Sequence, residues 1–410
     1  MTSSVVVNMS PHAAVGAHIQ GISAYEKVMA KSLADPAKFW ATQAKSLHWI
    51  RDFDNVTTGS FVNGDVQWFA GGKLNVCVNC LDRHVWNAEL ADKPAIIWEG
   101  DEIGTGRTYT FREALREVCR IANVLTSFGV RKGDSVTLYM PMVPEGVFAM
   151  LACARLGAPH SVVFAGFSAE ALRERILDVK SRFVFVCDEG MRGGRPIPLK
   201  KTVDDALADP RCSFVEKVLM FKRTGGPVQM HANRDVWMEE LIASAAPYCP
   251  AETMDAEDIL FFLYTSGSTG KPKGVAHTTG GYLLYASYTH KLVFDVRPGD
   301  VYACVADIGW VTGHSYVVYG PLANGCQTLI FESTPMHPNV SRYWDLIQRH
   351  RITQFYTAPT AIRALMRNGV EPFEGYDLSS LRVIGTVGEP IGPAPYVFFV
   401  CACQRGEPHS

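Results

Sequence analysis

No apolar run in this chain approaches the ~20 residues that a membrane-spanning helix needs. Neither sign of charge dominates. The 39 Lys and Arg stand against 41 Asp and Glu, a formal net charge of −2, so there is no basic footprint for nucleic acid. No arginine precedes Arg51, which speaks against a mitochondrial transit peptide, and no basic segment leads into an apolar core as in a secretory signal. The expected location is the cytosol, with the mitochondrial matrix as the alternative. A disulfide framework is not suggested either. The 11 cysteines are odd in number and irregular in spacing, as reduced thiols are. The tightest grouping, "CVNCLDRH", brings Cys77, Cys80, Asp82 and His84 together. A zinc site would want a second ligand pair nearby and none follows, so packed apolar cysteines are the better reading.

What is present is ample material for a core. At 410 residues and 47% hydrophobic, the chain has the size of two or three domains. Residues 1–23 have no period and are expected to fray. From 24 to 84 aromatics recur (Trp40, Trp49, Phe53, Phe61, Trp68, Phe69), which reads as a packed lead-in. From Ala95 strands and helices alternate. "AIIWEG" reads as a strand. "TFREALREVCRIANVLTSFG" reads as a helix with a capping box from Thr110 and Glu113, an apolar face of Phe111, Leu115, Val118, Ala122 and Leu125, and a stop at Gly129. "DSVTLYM", "SVVFAG", "RFVFVCD", "KVLMF", "ILFFLYT", "VYACVAD", "CQTLIFE", "QFYTAP" and "RVIGTVG" continue the strand series. Such strands, apolar without strict alternation, are those of parallel sheets covered on both faces. The expected fold is α/β with more than one sheet.

The strand "ILFFLYT" runs into "SGSTGKPKG". Glycines let a backbone approach an anion and expose its N–H groups. The hydroxyls of Thr265, Ser266, Ser268 and Thr269 donate to phosphate oxygens, and Lys271 and Lys273 supply positive charge. The loop is read as a phosphate cradle, against the bland alternative of a Ser/Gly-rich surface loop. It is not a Walker loop, which needs Gly where this chain has Thr265 and Ser or Thr where it has Pro272.

"YTSGSTGKPKGV" resembles the phosphate-loop signature of the adenylate-forming enzymes. "GGKLNVCVNCLDRH" (71–84), "DEGMRGGRPIPLK" (188–200), "DIGWVTGHSYVVYGPLANG" (307–325), "YTAPTAIRALM" (356–366) and "GTVGEPI" (385–391) narrow the resemblance to the AMP-forming acetyl-CoA synthetases. It runs from about Tyr25 to Ile391. The resemblance implies the large N-terminal domain of that fold over 85–391, preceded by the family's N-terminal extension over 24–84. It implies two steps: acetate attacks the α-phosphate of ATP to give acetyl-AMP and pyrophosphate, then CoA takes the acetyl group and AMP leaves. ATP, Mg²⁺ and CoA are the implied cofactors and co-substrates.

By the same resemblance the cradle Thr265, Ser266, Gly267, Ser268, Thr269, Gly270, Lys271 and Lys273 holds the phosphates. Thr265 and Lys271 are its catalytic groups, and Thr265 is the metal ligand. Gly388, Glu389 and Pro390 match the adenine and ribose segment. Trp310, Val311, Thr312 and Val387 match the acetate pocket. Arg192, Gly193, Gly194 and Arg195 match the loop that binds the CoA nucleotide, with Thr312 a further CoA contact and Gly166 beside the pantetheine arm. Arginine forks suit the phosphates of CoA. Each has a plainer reading: "MRGGR" as a solvated turn, and Trp310 and Val311 as core. His314 is read as structural, because ionised acetate has no proton to give up. Met336 stands where bacterial members carry an Asn in the CoA path.

After "GEPI" the resemblance stops and "GPAPYVFFVCACQRGEPHS" begins at Gly392. The resemblance implies that residues 392–410 are a divergent tail. It also implies that the large domain is incomplete and that the small C-terminal lid domain, with its adenylation lysine, is absent. The apolar "YVFFVCA" is expected to cover a sheet edge or to drive aggregation. An acetate–CoA ligase is therefore the expected function, with full activity of this chain in question. The alternatives are a non-catalytic fragment that holds ATP or CoA or pairs with full-length subunits, and a propionate-type short-chain ligase.

Overall fold

The computed structural model describes residues 15–265, 272–369 and 375–404. The lead-in carries helices α1 (Gly21–Ala34) and α2 (Pro36–Ala44), an antiparallel pair β1 (Asn55–Thr58) and β2 (Gln67–Ala70), and a short β3 (Lys73–Leu74). Part of the stretch expected to fray is tied down. The His18 N–H donates to Asp295 at 2.9 Å, and His18 Nε2 lies 2.7 Å from the Val296 carbonyl.

Two strands, β4 (Pro94–Glu99) and β5 (Gly106–Thr110), lead into α3 (Phe111–Ser127). The expected capping box is made. Thr110 Oγ1 accepts the Glu113 N–H at 3.1 Å, and Glu113 Oε2 accepts the Thr110 N–H at 2.9 Å, so two otherwise orphaned donors are satisfied. Phe111, Val118, Ala122 and Leu125 are buried, while Leu115 is half-buried. Gly129, at φ +90°, turns the chain out of the helix.

Strand–helix units follow: β6 (Val136–Tyr139), α4 (Pro144–Leu156), β7 (His160–Val162), α5 (Ala169–Val179) and β8 (Phe183–Cys187). A small hairpin, β9 (Gly190–Arg192) and β10 (Arg195–Ile197), leaves the end of β8. Next come β11 (Lys217–Phe221), β12 (Asp235–Trp237), β13 (Met254–Asp255), which pairs back to β3, and the antiparallel pair β14 (Ile259–Thr265) and β15 (Lys273–Thr278). The last third holds α6 (Gly280–Val293), β16 (Val301–Cys304), β17 (Gln327–Phe331), α7 (Arg342–His350), β18 (Gln354–Thr357), α8 (Pro359–Met366), β19 (Val383–Thr386) and α9 (Pro393–Gln404).

These strands form two large sheets, as the strand series implied. The first has seven strands in the order β12-β11-β8-β6-β7-β14-β15, parallel except for β15. The second has six, β19-β18-β16-β17-β4-β5, parallel except for β5. Every residue of β6 and β8 is buried, which is what a strand covered on both faces requires. A separate apolar cluster lies under the second sheet, built from Phe331, Tyr343, Trp344, Phe355 and Ile362. The described part of the tail does not extend a sheet. It folds as α9 and packs Phe398 and the preceding Ile391 on that cluster.

Candidate active site

Both sheets end on one cleft. It has a volume of about 850 Å³ and is lined by the segments that leave the C-terminal ends of their parallel strands. Pro141 and Met142 follow β6, Phe164 to Gly166 follow β7, and Gly190 to Arg192 follow β8. From the second sheet come Val305 to Asp307 after β16, Glu332 to Pro335 after β17, Ala358 after β18, and Val387 and Gly388 after β19. Parallel α/β sheets leave ligand crevices at this end because the connecting loops diverge there.

The cleft gathers residues far apart in sequence. Gly166, Arg192, Trp310, Val311, Thr312, Val387 and Gly388 all line it, so the segments read as CoA loop, acyl pocket and nucleotide segment meet in one place. Arg192 stands over the Phe164 ring, with 5.6 Å to its centroid, and Phe164 in turn stacks obliquely on Trp310 at 5.7 Å. Trp310 and Val311 are 48% and 47% exposed, so neither is plain core. A second, more apolar cavity of about 730 Å³ lies behind, walled by Trp40, Tyr282, Tyr285 and Tyr316. Val311, Thr312 and Val387 line both.

The other expected residues sit around this centre. Thr265 ends β14 and Lys273 opens β15, directly opposite each other in the ladder. Ser266, Gly267, Ser268, Thr269, Gly270 and Lys271 lie outside the described residues. The base of their loop is anchored, because Tyr264 Oη donates to Asp178 Oδ2 at 2.5 Å. Arg363 clamps the segment after β19: its Nη1 donates to Glu389 at 2.8 Å and its Nη2 to the Pro390 carbonyl at 2.7 Å. Arg192 and Arg195 face each other across the β9–β10 hairpin. The N–H groups of Gly193 and Gly194 are taken up by the Asp101 carboxylate.

His314 is fully buried. Burial holds its pKa down at about 4, and its Nδ1 lies 3.0 Å from the Trp310 carbonyl. It is neutral and internal, in keeping with a structural role. Met336 is exposed.

Three groups escaped the sequence reading. Asp307 opens the quoted "DIGW" stretch and lines the cleft. Burial pushes its carboxyl up to about 6, against the opposing pull of the Gly309 N–H and the Arg192 charge. Nothing local distinguishes this Asp from a loop acid. Asp101 and Arg363 act across the chain on the glycine turn and on the Glu389 segment, and no spacing rule links such residues.

Comparison with known proteins agrees with this geometry. The AMP-binding enzyme family matches residues 83–407, and the acetyl-coenzyme A synthetase N-terminus matches residues 25–80. An acetyl-coenzyme A synthetase of Vibrio vulnificus is 54% identical over 377 residues, covering 92% of this chain and 58% of that protein. One from Coprinopsis cinerea is 55% identical over 384 residues, 93% of this chain and 58% of that protein. One from Dictyostelium discoideum is 52% identical over 384 residues, 93% of this chain and 56% of that protein. The chain thus spans less than three-fifths of the length of these relatives. With the family match covering most of the sequence, this chain belongs to the AMP-binding enzymes and, among them, to the acetyl-coenzyme A synthetase family.

Proposed function

We propose that the protein takes part in the ATP-dependent activation of acetate and transfer of the acetyl group to CoA, in the cytosol. The observation that carries this reading is the convergence of Gly166, Arg192, Trp310, Val311, Thr312, Val387 and Gly388 on one cleft at the strand ends. In the first step an acetate oxygen attacks the α-phosphorus of ATP and the bond to pyrophosphate breaks. In the second the CoA sulfur attacks the acetyl carbonyl, its proton goes to solvent or a base, and the bond to AMP breaks.

In this reading Gly388, Glu389 and Pro390, held by Arg363, take the nucleoside. Thr265, Lys273 and the loop Ser266–Lys271 between them take the phosphates, with Lys271 offsetting charge on the departing pyrophosphate. Val311, Thr312 and Val387 enclose the methyl of acetate, which leaves its carboxylate turned toward phosphate. Arg192 and Arg195 take the phosphates of the CoA nucleotide, and the pantetheine arm passes Gly166 and Thr312. Among the described residues, the clusters of three acid or histidine groups are Asp101–Glu102–His337 and Asp204–His231–Asp235. In this reading Mg²⁺ would be held chiefly by the phosphate oxygens of ATP, with the Thr265 hydroxyl as a protein ligand, and would neutralise phosphate charge.

A second reading is binding without turnover. The exposure of Trp310 and Val311 favours it, since an open pocket excludes little water. Acetate-dependent exchange of labelled pyrophosphate into ATP separates the two readings. Exchange above background supports the ligase. ATP and CoA binding without exchange supports the second reading, and loss of both binding activities would sink both.

A further inference from the structure

Asp101 lies in the loop between β4 and β5, far in sequence from the β9–β10 hairpin, and is fully buried. Its Oδ1 accepts the Gly193 N–H at 2.7 Å and the Ser333 hydroxyl at 2.7 Å, and its Oδ2 accepts the Gly194 N–H at 2.6 Å. Its own N–H donates to Glu332 at 3.1 Å, and Glu332 is gripped at both oxygens by Arg223 at 2.8 and 2.7 Å. The carboxylate is thus surrounded by donors and fixed to the floor of the cleft.

Gly193 and Gly194 take φ of +60° and +77° in succession. Two such residues turn their N–H groups to the same side, and that arrangement commonly cradles an external anion. Here the anion is internal, the Asp101 carboxylate. A side chain at Gly194 would come within 2.8 Å of the His337 ring, so both the positive φ and the packing favour glycine here. The consequence falls on the arginines. Arg192 and Arg195 are cross-strand partners on the hairpin. Like charges in that position repel and favour opening of the pair. The Asp101 charge beneath the turn opposes that opening.

We propose that Asp101 is a positioning residue for the CoA nucleotide. It locks the Gly193–Gly194 turn so that Arg192 and Arg195 are held side by side as the phosphate-binding fork. The ligand's phosphates are then read by guanidinium groups and not by the glycine amides. This inference rests on the proposed CoA site.

The test is calorimetric titration of the full chain with CoA and, separately, with ATP, for the unaltered protein, Asp101→Asn, Arg192→Ala and the double variant. The expected result is a loss of CoA affinity of about ten-fold or more in Asp101→Asn, from the lost pre-organisation, with ATP affinity within two-fold. In the Arg192→Ala background Asp101→Asn then adds little, because the two act as one unit. Equal losses for CoA and ATP, or CoA affinity unchanged in Asp101→Asn, would overturn the proposal. Hydrogen exchange at Gly193 and Gly194, followed without ligand, decides the matter independently of CoA. Both amides should be protected in the unaltered chain and should exchange at least about ten-fold faster in Asp101→Asn, or in Ser333→Ala if the former does not fold. Fast exchange in the unaltered chain overturns the proposal. Slow exchange without CoA binding instead removes the CoA reading and leaves Asp101 as a purely structural lock.

Discussion

Arg155 and Asp82 meet in the interior through paired N–H···O bonds of 2.8 and 3.1 Å, with the Arg155 side chain 2% exposed. The same guanidinium donates to the Cys249 carbonyl at 2.6 Å and to the Cys77 sulfur at 3.4 Å. Elsewhere in "CVNCLDRH", Cys80 reaches toward the Tyr319 carbonyl and His84 lies 2.8 Å from the Leu322 carbonyl. Burial keeps both thiols protonated, with Cys80 pushed up to about 12. Of the four residues grouped in that stretch, Cys77 and Asp82 are thus both held by Arg155, Cys80 and His84 turn to backbone carbonyls, and Asp82 serves as the counter-ion of a buried arginine.

Removing that counter-ion is expected to be severe. Asp82→Ala leaves an unpaired guanidinium in the core, and a loss of about 3–5 kcal/mol in urea unfolding is expected. A strong chelator should leave the melting temperature where it is. A fall on chelation would revive the metal reading.

Acid should destabilise the fold through its buried histidines. Burial, assisted by the Arg83 charge, holds His84 down at about 4, and burial likewise holds His290 at about 3 and His314 at about 4. The unfolded chain protonates these rings near 6.5, so their contribution is complete above that pH and is lost as pH falls toward 4. Each adds a slope of about 1.4 kcal/mol per pH unit in that window. Urea midpoints at pH 7.5 and pH 5 measure it, and equal midpoints would contradict the assignment.

Asp307 works with the opposite sign. Its folded carboxyl titrates near 6, above its unfolded value, so the fold loses stability as pH rises through 6. Asp307→Asn keeps an oxygen for the Gly309 N–H, 2.7 Å away, and removes the charge. The variant should be more stable than the unaltered chain at pH 8 by about 1–2 kcal/mol, an effect trimmed by the wet cleft, and nearly matched at pH 4.5. Paired melts at the two pH values show whether the gap opens with rising pH.

Arg363→Ala should free the Glu389–Pro390 segment. Both partners of the Arg363–Glu389 pair are partly solvated, so the fold should lose less than about 1 kcal/mol. The larger effect is expected in ATP binding, which should weaken several-fold while CoA binding holds. Titrations with each ligand would reveal it, and equal weakening would point to a general disturbance of the cleft.

The sequence disclosed what depends on near neighbours. Thr110 and Glu113 are one helical turn apart, so their capping box could be read directly, and so could the apolar strands β6 and β8. The segments read as acyl, nucleotide and CoA sites stood out only through a family resemblance. What stayed hidden depends on pairs that the fold brings together. Asp82 is legible as an acid but not as the partner of Arg155, and Asp101 carries no local mark of its bonds to Gly193 and Gly194. The strand order was equally opaque, since β4 joins β17, a strand from the far end of the chain. The apolar character of "YVFFVCA" suggests a sheet-edge cover or an aggregation site; the segment coils into α9, with Phe398 packed on the cluster under the second sheet.

Val311, Thr312 and Val387 border both the cleft and the aromatic cavity behind it. They are the residues that the two spaces share. A change in any one of these side chains therefore alters the lining of both spaces at once. The form of the cleft and the closeness of the rear aromatics are therefore tied to the same three side chains.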